Sequence, residues 1–152
     1  MVLVLVVSAA AFTMAAPLFG WRVDTVLSGS MEPALHAGDM VVTRPAAAGT
    51  IQVGDIITYS SRSGTSRTTH RVVAVEREPT LRFVTKGDAN RDIDPAPIPA
   101  GQVAGVRAFS IPYLGILVGF IRTPLGLALT VGIPALVLIA AELEKLWSRG
   151  TD

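Results

Sequence analysis

Cysteine is absent from this chain, so no disulfide can staple it and no Cys-based zinc site can form. Histidine occurs only at His36 and His70, which leaves too few imidazoles for a multi-His metal centre. Charge is also scarce: Asp, Glu, Lys and Arg make up 16% of the 152 residues, against about 25% in an average soluble domain. The net charge is +1 and no run gathers Lys and Arg, so a nucleic-acid partner has no electrostatic footprint. What the chain does have is hydrophobic residues, which account for 50% of it.

The shortage of charge is local. Residues 1–21 carry no charged side chain, and neither do residues 123–141, which lie between Arg122 and Glu142. Crossing a bilayer core of about 30 Å takes about 20 apolar residues in a helix, and both stretches reach that length. The expected layout is an N-terminal transmembrane anchor (1–21), a mixed polar domain (22–122), a C-terminal transmembrane helix (123–141) and a short polar tail (142–152). A cleavable signal peptide is the rival for the first stretch, because Ala15 and Ala16 before Pro17 offer small residues near a cut. No basic residue precedes the apolar run, however, and the run is long for a signal peptide, so a retained anchor is preferred. Because the run starts at the first residue, a flanking segment upstream is expected either to be missing or never to have existed. Lys145 and Arg149 favour a cytoplasmic tail by the positive-inside bias, and Trp147 suits the interface. Residues 108–121 are apolar but broken by Pro112, Gly115 and Gly119. They read equally as a membrane-apposed segment or a buried closing strand.

Between the apolar stretches the pattern is that of short strands. Residues 40–43, 55–59, 69–75, 81–85 and 103–108 are rich in β-branched and aromatic residues. Gly38-Asp39, Gly54-Asp55, Gly87-Asp88 and the proline-rich 95–99 separate them. Residues 62–67 read as a polar hairpin tip. The fold expected is mainly β, a small barrel-like or sandwich domain flanked by the two membrane helices.

Three patches in this domain have chemical interest. Ser28-Gly29-Ser30-Met31-Glu32-Pro33 follows the first anchor, Thr69-His70-Arg71-Val72 lies in a strand, and residues 86–95 form an acidic loop with Asp88, Asp92 and Asp94. A serine hydroxyl is a poor nucleophile until a base takes its proton; histidine can serve, and a carboxylate can fix its tautomer. The residue types are present, but their proximity is not readable. Ser-Gly-Ser is also an ordinary turn, and acidic loops are usually solvated.

These patches, in this order, resemble the conserved boxes of type I signal peptidases. Ser28 to Pro33 with Gly38-Asp39 resembles the nucleophile box, and Val53-Gly54-Asp55-Ile56-Ile57 the strand after it. Thr69-His70-Arg71-Val72 resembles the base box, and Thr85 to Asn90 through Asp94-Pro95 the acidic box. Together they cover residues 26–106. The family divides between a lysine base and a histidine base in the second box. His70 makes this sequence similar to the histidine branch, found in the endoplasmic reticulum, in archaea and in some Gram-positive bacteria.

The resemblance implies a membrane-bound serine endopeptidase that removes signal peptides from exported preproteins through an acyl-enzyme, with no cofactor and no metal. Ser30 would be the nucleophile and His70 the base. Asp94 matches the orienting carboxylate, with Asp88 left as the alternative or as a support. Ser28 and the Ser30 backbone N–H would form the oxyanion hole. Small side chains are implied one and three residues before the cut. The catalytic domain is expected on the extracytoplasmic side, with other subunits undefined. Lys86 as base is the weaker reading, since it falls in the acidic box. Met31 and Pro33 are expected to shape the turn, Glu32, His36 and Asp92 to be exposed, and Asp39 and Asp55 to satisfy backbone donors. Trp21 lies nine residues before Ser30, a reach of at most about 30 Å, which suits substrates held at a bilayer. The competing readings are a dedicated peptidase for a few secreted substrates, a catalytically silent membrane-tethered β scaffold, and a self-cleaving regulator on a related fold.

Overall fold

The computed structural model describes residues 15–60 and 66–149, in two compact units, 1–115 and 116–152. Most of the N-terminal anchor expected over 1–21, and most of the hairpin tip expected over 62–67, lie outside the described residues.

In the first unit the strands are β1 (Arg22–Thr25), β2 (Met40–Arg44), β3 (Ile56–Ser60), β4 (Arg67–Glu76), β5 (Arg82–Lys86), β6 (Ile98–Pro99) and β7 (Val103–Ile111). They form one sheet in the order β1-β2-β7-β3-β4-β5-β6, and every neighbouring pair is antiparallel. The sheet is open, with β1 and β6 at its margins. This corrects the barrel-like or sandwich expectation. Alternation and turn spacing report strands, but closure depends on whether the two marginal strands meet, and here they do not pair. Register shifts at Val42/Thr43, Thr58/Tyr59 and Val72/Ala74 each mark an irregularity of the kind that bends a strand and increases its twist.

The central strands are covered on both sides: Met40 to Thr43 of β2 and Ile56 to Tyr59 of β3 are all buried. One core cluster gathers Ile51, Ile57, Tyr59, Val72, Phe83 and Val106. A second joins Met31 and Leu35 to Val41 and Ile56, and this one lies directly under the Ser30 turn. Two Gly-Asp pairs punctuate the chain as expected. Gly38 and Gly54 have φ of 92° and 99°, which a side chain would strain. Asp39 accepts from the His36 N–H and Asp55 from the Gln52 N–H, each at 2.9 Å. Asp39 also accepts from the Tyr113 N–H at 3.1 Å, which ties the end of β7 back to the β2 turn.

The apolar segment 108–121 proves to be half strand and half helix: β7 runs to Ile111, and helix α1 spans Leu114–Ile121. In the second unit, helix α2 (Pro124–Leu127) starts on Thr123, whose hydroxyl accepts from the Gly126 N–H. A π-helical turn (Ala128–Gly132) leads into α3 (Ile133–Arg149). Pro124–Lys145 has a mean hydropathy of 2.2 and is long and apolar enough to cross a membrane. Its Leu, Val and Ile side chains are exposed.

Candidate active site

Ser30 sits in a short 3₁₀ turn, Gly29–Met31, entered from an extended Ser28. The turn is fixed from below by Met31, only 1% exposed and packed on Leu35, Val41 and Ile56. It is fixed from the side by the loop after β5, where the Ala89 N–H donates to the Ser30 carbonyl at 3.0 Å. Gly87 is required at this close approach, because a Cβ there would lie 2.6 Å from the Ser30 carbonyl oxygen. Met31 is thus the plug beneath the turn, a stronger role than the shaping expected of it.

His70 comes from β4, opposite Ile57 of β3, and is 7% exposed. Its Nε2 lies 3.2 Å from Ser30 Oγ, and its Nδ1 lies 2.7 Å from Asp94 Oδ2. Asp94 returns beside β5 through its N–H, which donates to the Thr85 carbonyl at 2.8 Å. The three side chains form one relay: hydroxyl, imidazole, carboxylate.

Two residues that the sequence did not single out complete the relay. The Tyr59 hydroxyl donates to Asp94 Oδ2 at 2.9 Å, and the Thr85 hydroxyl donates to the same oxygen at 2.5 Å. One carboxylate oxygen therefore faces three donors. Burial pushes the Asp94 carboxyl upward, but the hydrogen bonds from His70, Thr85 and Tyr59 outweigh it and hold the group below its ordinary value. The Tyr59 hydroxyl is pushed up to about 12, first by burial and then by the neighbouring carboxylate. Both ends of that contact thus keep their useful form: an ionised acceptor and a protonated donor.

Asp88 lies elsewhere. Arg71 grips it with two hydrogen bonds, Nε to Oδ1 at 2.8 Å and Nη2 to Oδ2 at 2.6 Å, while Arg71 Nη1 reaches the Gly54 carbonyl. The Asp88 contact raises the Arg71 pKa. This fork holds the 87–90 loop against β4, beside the residue that carries the imidazole. Ser28 Oγ is 3.4 Å from Ser30 Oγ. Lys86 stands opposite Arg71 at the end of β5, and no hydrogen bond or ion pair links it to Ser30. His36 is solvent-facing, with its Nδ1 3.9 Å from Asp39. Among the described residues, no three His, Cys, Asp or Glu side chains gather to hold a metal ion.

In front of the relay lies a groove of about 370 Å³, whose lining includes Asp24, Ser28, Ser30, Arg67, Thr69 and His70. The strand pairing explains it. β4 pairs with β3 over 67–71 but with β5 only from Arg71 onward, so among the described residues one edge of 67–70 has no strand beside it. β1 is likewise unpaired on its outer side. The groove runs between these two edges.

The family described as "Signal peptidase, peptidase S26" matches residues 1–78, which include the Ser30 turn and His70. The chain belongs to this family. Among its relatives is "Signal peptidase I W" of Bacillus subtilis (strain 168), 36% identical over 98 residues, covering 62% of this chain and 51% of that protein. "Signal peptidase complex catalytic subunit SEC11C" of Homo sapiens is 33% identical over 102 residues, covering 60% of this chain and 53% of its own. The "Signal peptidase complex catalytic subunit sec11" of Pyrenophora tritici-repentis (strain Pt-1C-BFP) is 40% identical over 99 residues, covering 63% and 55%. The chain spans about half the length of the curated relatives it matches.

Proposed function

We propose that this protein is a membrane-bound serine endopeptidase that removes signal peptides from exported preproteins, with Ser30 as nucleophile, His70 as base and Asp94 as the orienting acid. The observation that carries the reading is the continuous contact from Ser30 Oγ through both nitrogens of His70 to Asp94. Ser30 Oγ attacks the scissile carbonyl carbon while His70 Nε2 takes its proton. Asp94 holds the Nδ1–H tautomer and stabilises the imidazolium. The Ser30 N–H and the Ser28 hydroxyl, once turned away from Ser30 Oγ, offer donors to the developing oxyanion. Losing one such donor costs about 10²–10³ in rate. Collapse of the tetrahedral intermediate passes the proton from His70 to the leaving amine. Water then repeats the sequence on the acyl-enzyme.

The groove supports a peptide substrate bound as an extended strand. A chain lying between β1 and residues 67–70 of β4 would find backbone partners on two sheet edges, the strand-addition mode of peptide recognition. The membrane-length helix supports residence in a bilayer. In this reading a second span lies near the N-terminus, the site faces the extracytoplasmic side, and preproteins present their cleavage sites at the membrane surface. Asp88 acts through Arg71, bracing the loop.

The test is cleavage of a preprotein with an Ala-x-Ala site, in detergent or liposomes, by wild type, Ser30→Ala and His70→Ala. Processing by wild type alone, with both variants folded, is the expected result. Processing that survives in Ser30→Ala would sink the mechanism.

A further inference from the structure

The relay leaves the far end of the groove unused. There Arg67 Nη1 donates to Asp24 Oδ1 at 2.6 Å. These residues belong to strands that are not neighbours, since β2, β7 and β3 separate β1 from β4 in the sheet. The ion pair therefore spans the gap between the two open edges, and both side chains line the same groove as Ser30 and His70.

Two properties set this pair apart from an ordinary surface bridge. Asp24 Oδ2 is buried and has no hydrogen-bond partner among the described residues. A carboxylate oxygen that has lost water without gaining a donor is costly to leave so, and it favours any ligand that supplies one. The pair is also only partly covered, with Arg67 42% and Asp24 27% exposed, so it is weakly held and rearranges at small cost.

Its position along the groove follows from the topology. Four successive antiparallel steps lead from β1 to β4, so the two strands run in the same direction, both toward the relay. Arg67 precedes His70 by three residues, about 10 Å at the rise of a strand. A substrate strand with its first upstream residue at Ser30 brings its fourth upstream residue to the ion pair.

We infer that Asp24 and Arg67 form a charge-reading subsite for the fourth residue before the cleaved bond, favouring a lysine or arginine that pairs with the Asp24 carboxylate as its bridge to Arg67 rearranges. The inference rests on the peptidase reading above. Arg67 is already committed to Oδ1 and tempers the site; removing either partner tilts it. Without Arg67 the carboxylate is uncompensated, and a cationic side chain gains. Without the Asp24 charge, Arg67 is left to attract an anionic one.

The experiment uses the full chain in detergent and three peptides that differ only at the fourth upstream position, Lys, Gln or Glu, each with an Ala-x-Ala site. Wild type is expected to prefer Lys over Glu by about tenfold in kcat/KM, the scale of one hydrogen bond to a charged group. Arg67→Gln should widen that ratio, Asp24→Asn should reverse it, and Arg67→Lys should keep the wild-type order. An unchanged order in all variants, or an equal loss on all three peptides in Asp24→Asn, overturns the subsite. Binding of the same peptides to Ser30→Ala protein, read by fluorescence anisotropy, reports the charge order without turnover. No cleavage by wild type, with the binding order as expected, would sink the peptidase and leave the subsite standing. Cleavage and binding without any charge order would sink the subsite alone.

Discussion

At the scale of single residues, the most consequential contact is the shared oxygen of Asp94. Three donors converge on Oδ2, and all three, His70, Tyr59 and Thr85, are themselves buried. Tyr59→Phe and Thr85→Val each remove one donor without opening the core. Each should lower kcat by about tenfold, with KM nearly unchanged, because the bound imidazole is less firmly oriented. Steady-state kinetics on one preprotein checks this. The carboxylate also has a stability signature. Its native pKa lies below the ordinary Asp value, so its contribution is complete above about pH 4 and fades as pH falls through the lower native value. The melting-temperature gap between wild type and Asp94→Asn should therefore narrow as pH is lowered from 5 toward about 2. Gly87 gives a sharper case. Gly87→Ala puts a Cβ against the Ser30 carbonyl, so activity should fall by at least about a hundredfold from a displaced nucleophile. A variant with full activity would show that the turn yields freely.

Ser30 and His70 could be named from the boxes around them because each stands in a distinctive local run. Tyr59 and Thr85 could not. Both read as ordinary strand residues, one with a β-prone ring and one β-branched, and nothing local says that their hydroxyls meet across 26 positions of sequence. The available signal was indirect: a buried carboxylate needs more donors than one imidazole supplies. The choice between Asp94 and Asp88 was likewise open in sequence. In the structure Asp94 meets His70, while the Arg71 fork occupies Asp88.

At the scale of elements, five strands were legible to within a few residues because each carries a β-branched run between turn residues. β1 and β6 were not. β1 has four residues, two of them charged, directly after an apolar stretch, and β6 is a pair of residues in a proline-rich segment. Missing β1 mattered, since it supplies one wall of the groove. Sheet closure was also illegible, because it depends on pairing between strands remote in sequence. The nucleophile turn is an element held by packing. Met31→Ala should cost about 2–5 kcal/mol in unfolding free energy and loosen Ser30 as well. Met31→Leu, close in volume, should retain most of both. Denaturation and activity measured together check the pair.

At the scale of the whole molecule, the C-terminal helix was visible from the lack of charge over 123–141, but its end was not. Helical structure continues through the charged residues to Arg149, since Glu, Lys and Leu are good helix formers beyond any membrane boundary. Placing a cation mid-span tests its role. Val137→Arg should cost about 2.5–3.5 kcal/mol of insertion free energy and move protein from the membrane to the soluble or aggregated fraction. Val137→Leu should not. Fractionation of both variants checks this, and equal membrane recovery would show that this helix is not what holds the chain at the membrane.

The open edge of β4 beside His70 has one more consequence. A sheet edge grips the peptide main chain, which is the same in every polypeptide, and leaves side chains to be judged at only a few points. On the peptidase reading proposed above, selection at such an edge falls first on the shape of the main chain. A segment drawn out straight for a few residues fits that edge, and a folded one is refused for its shape before its sequence is read.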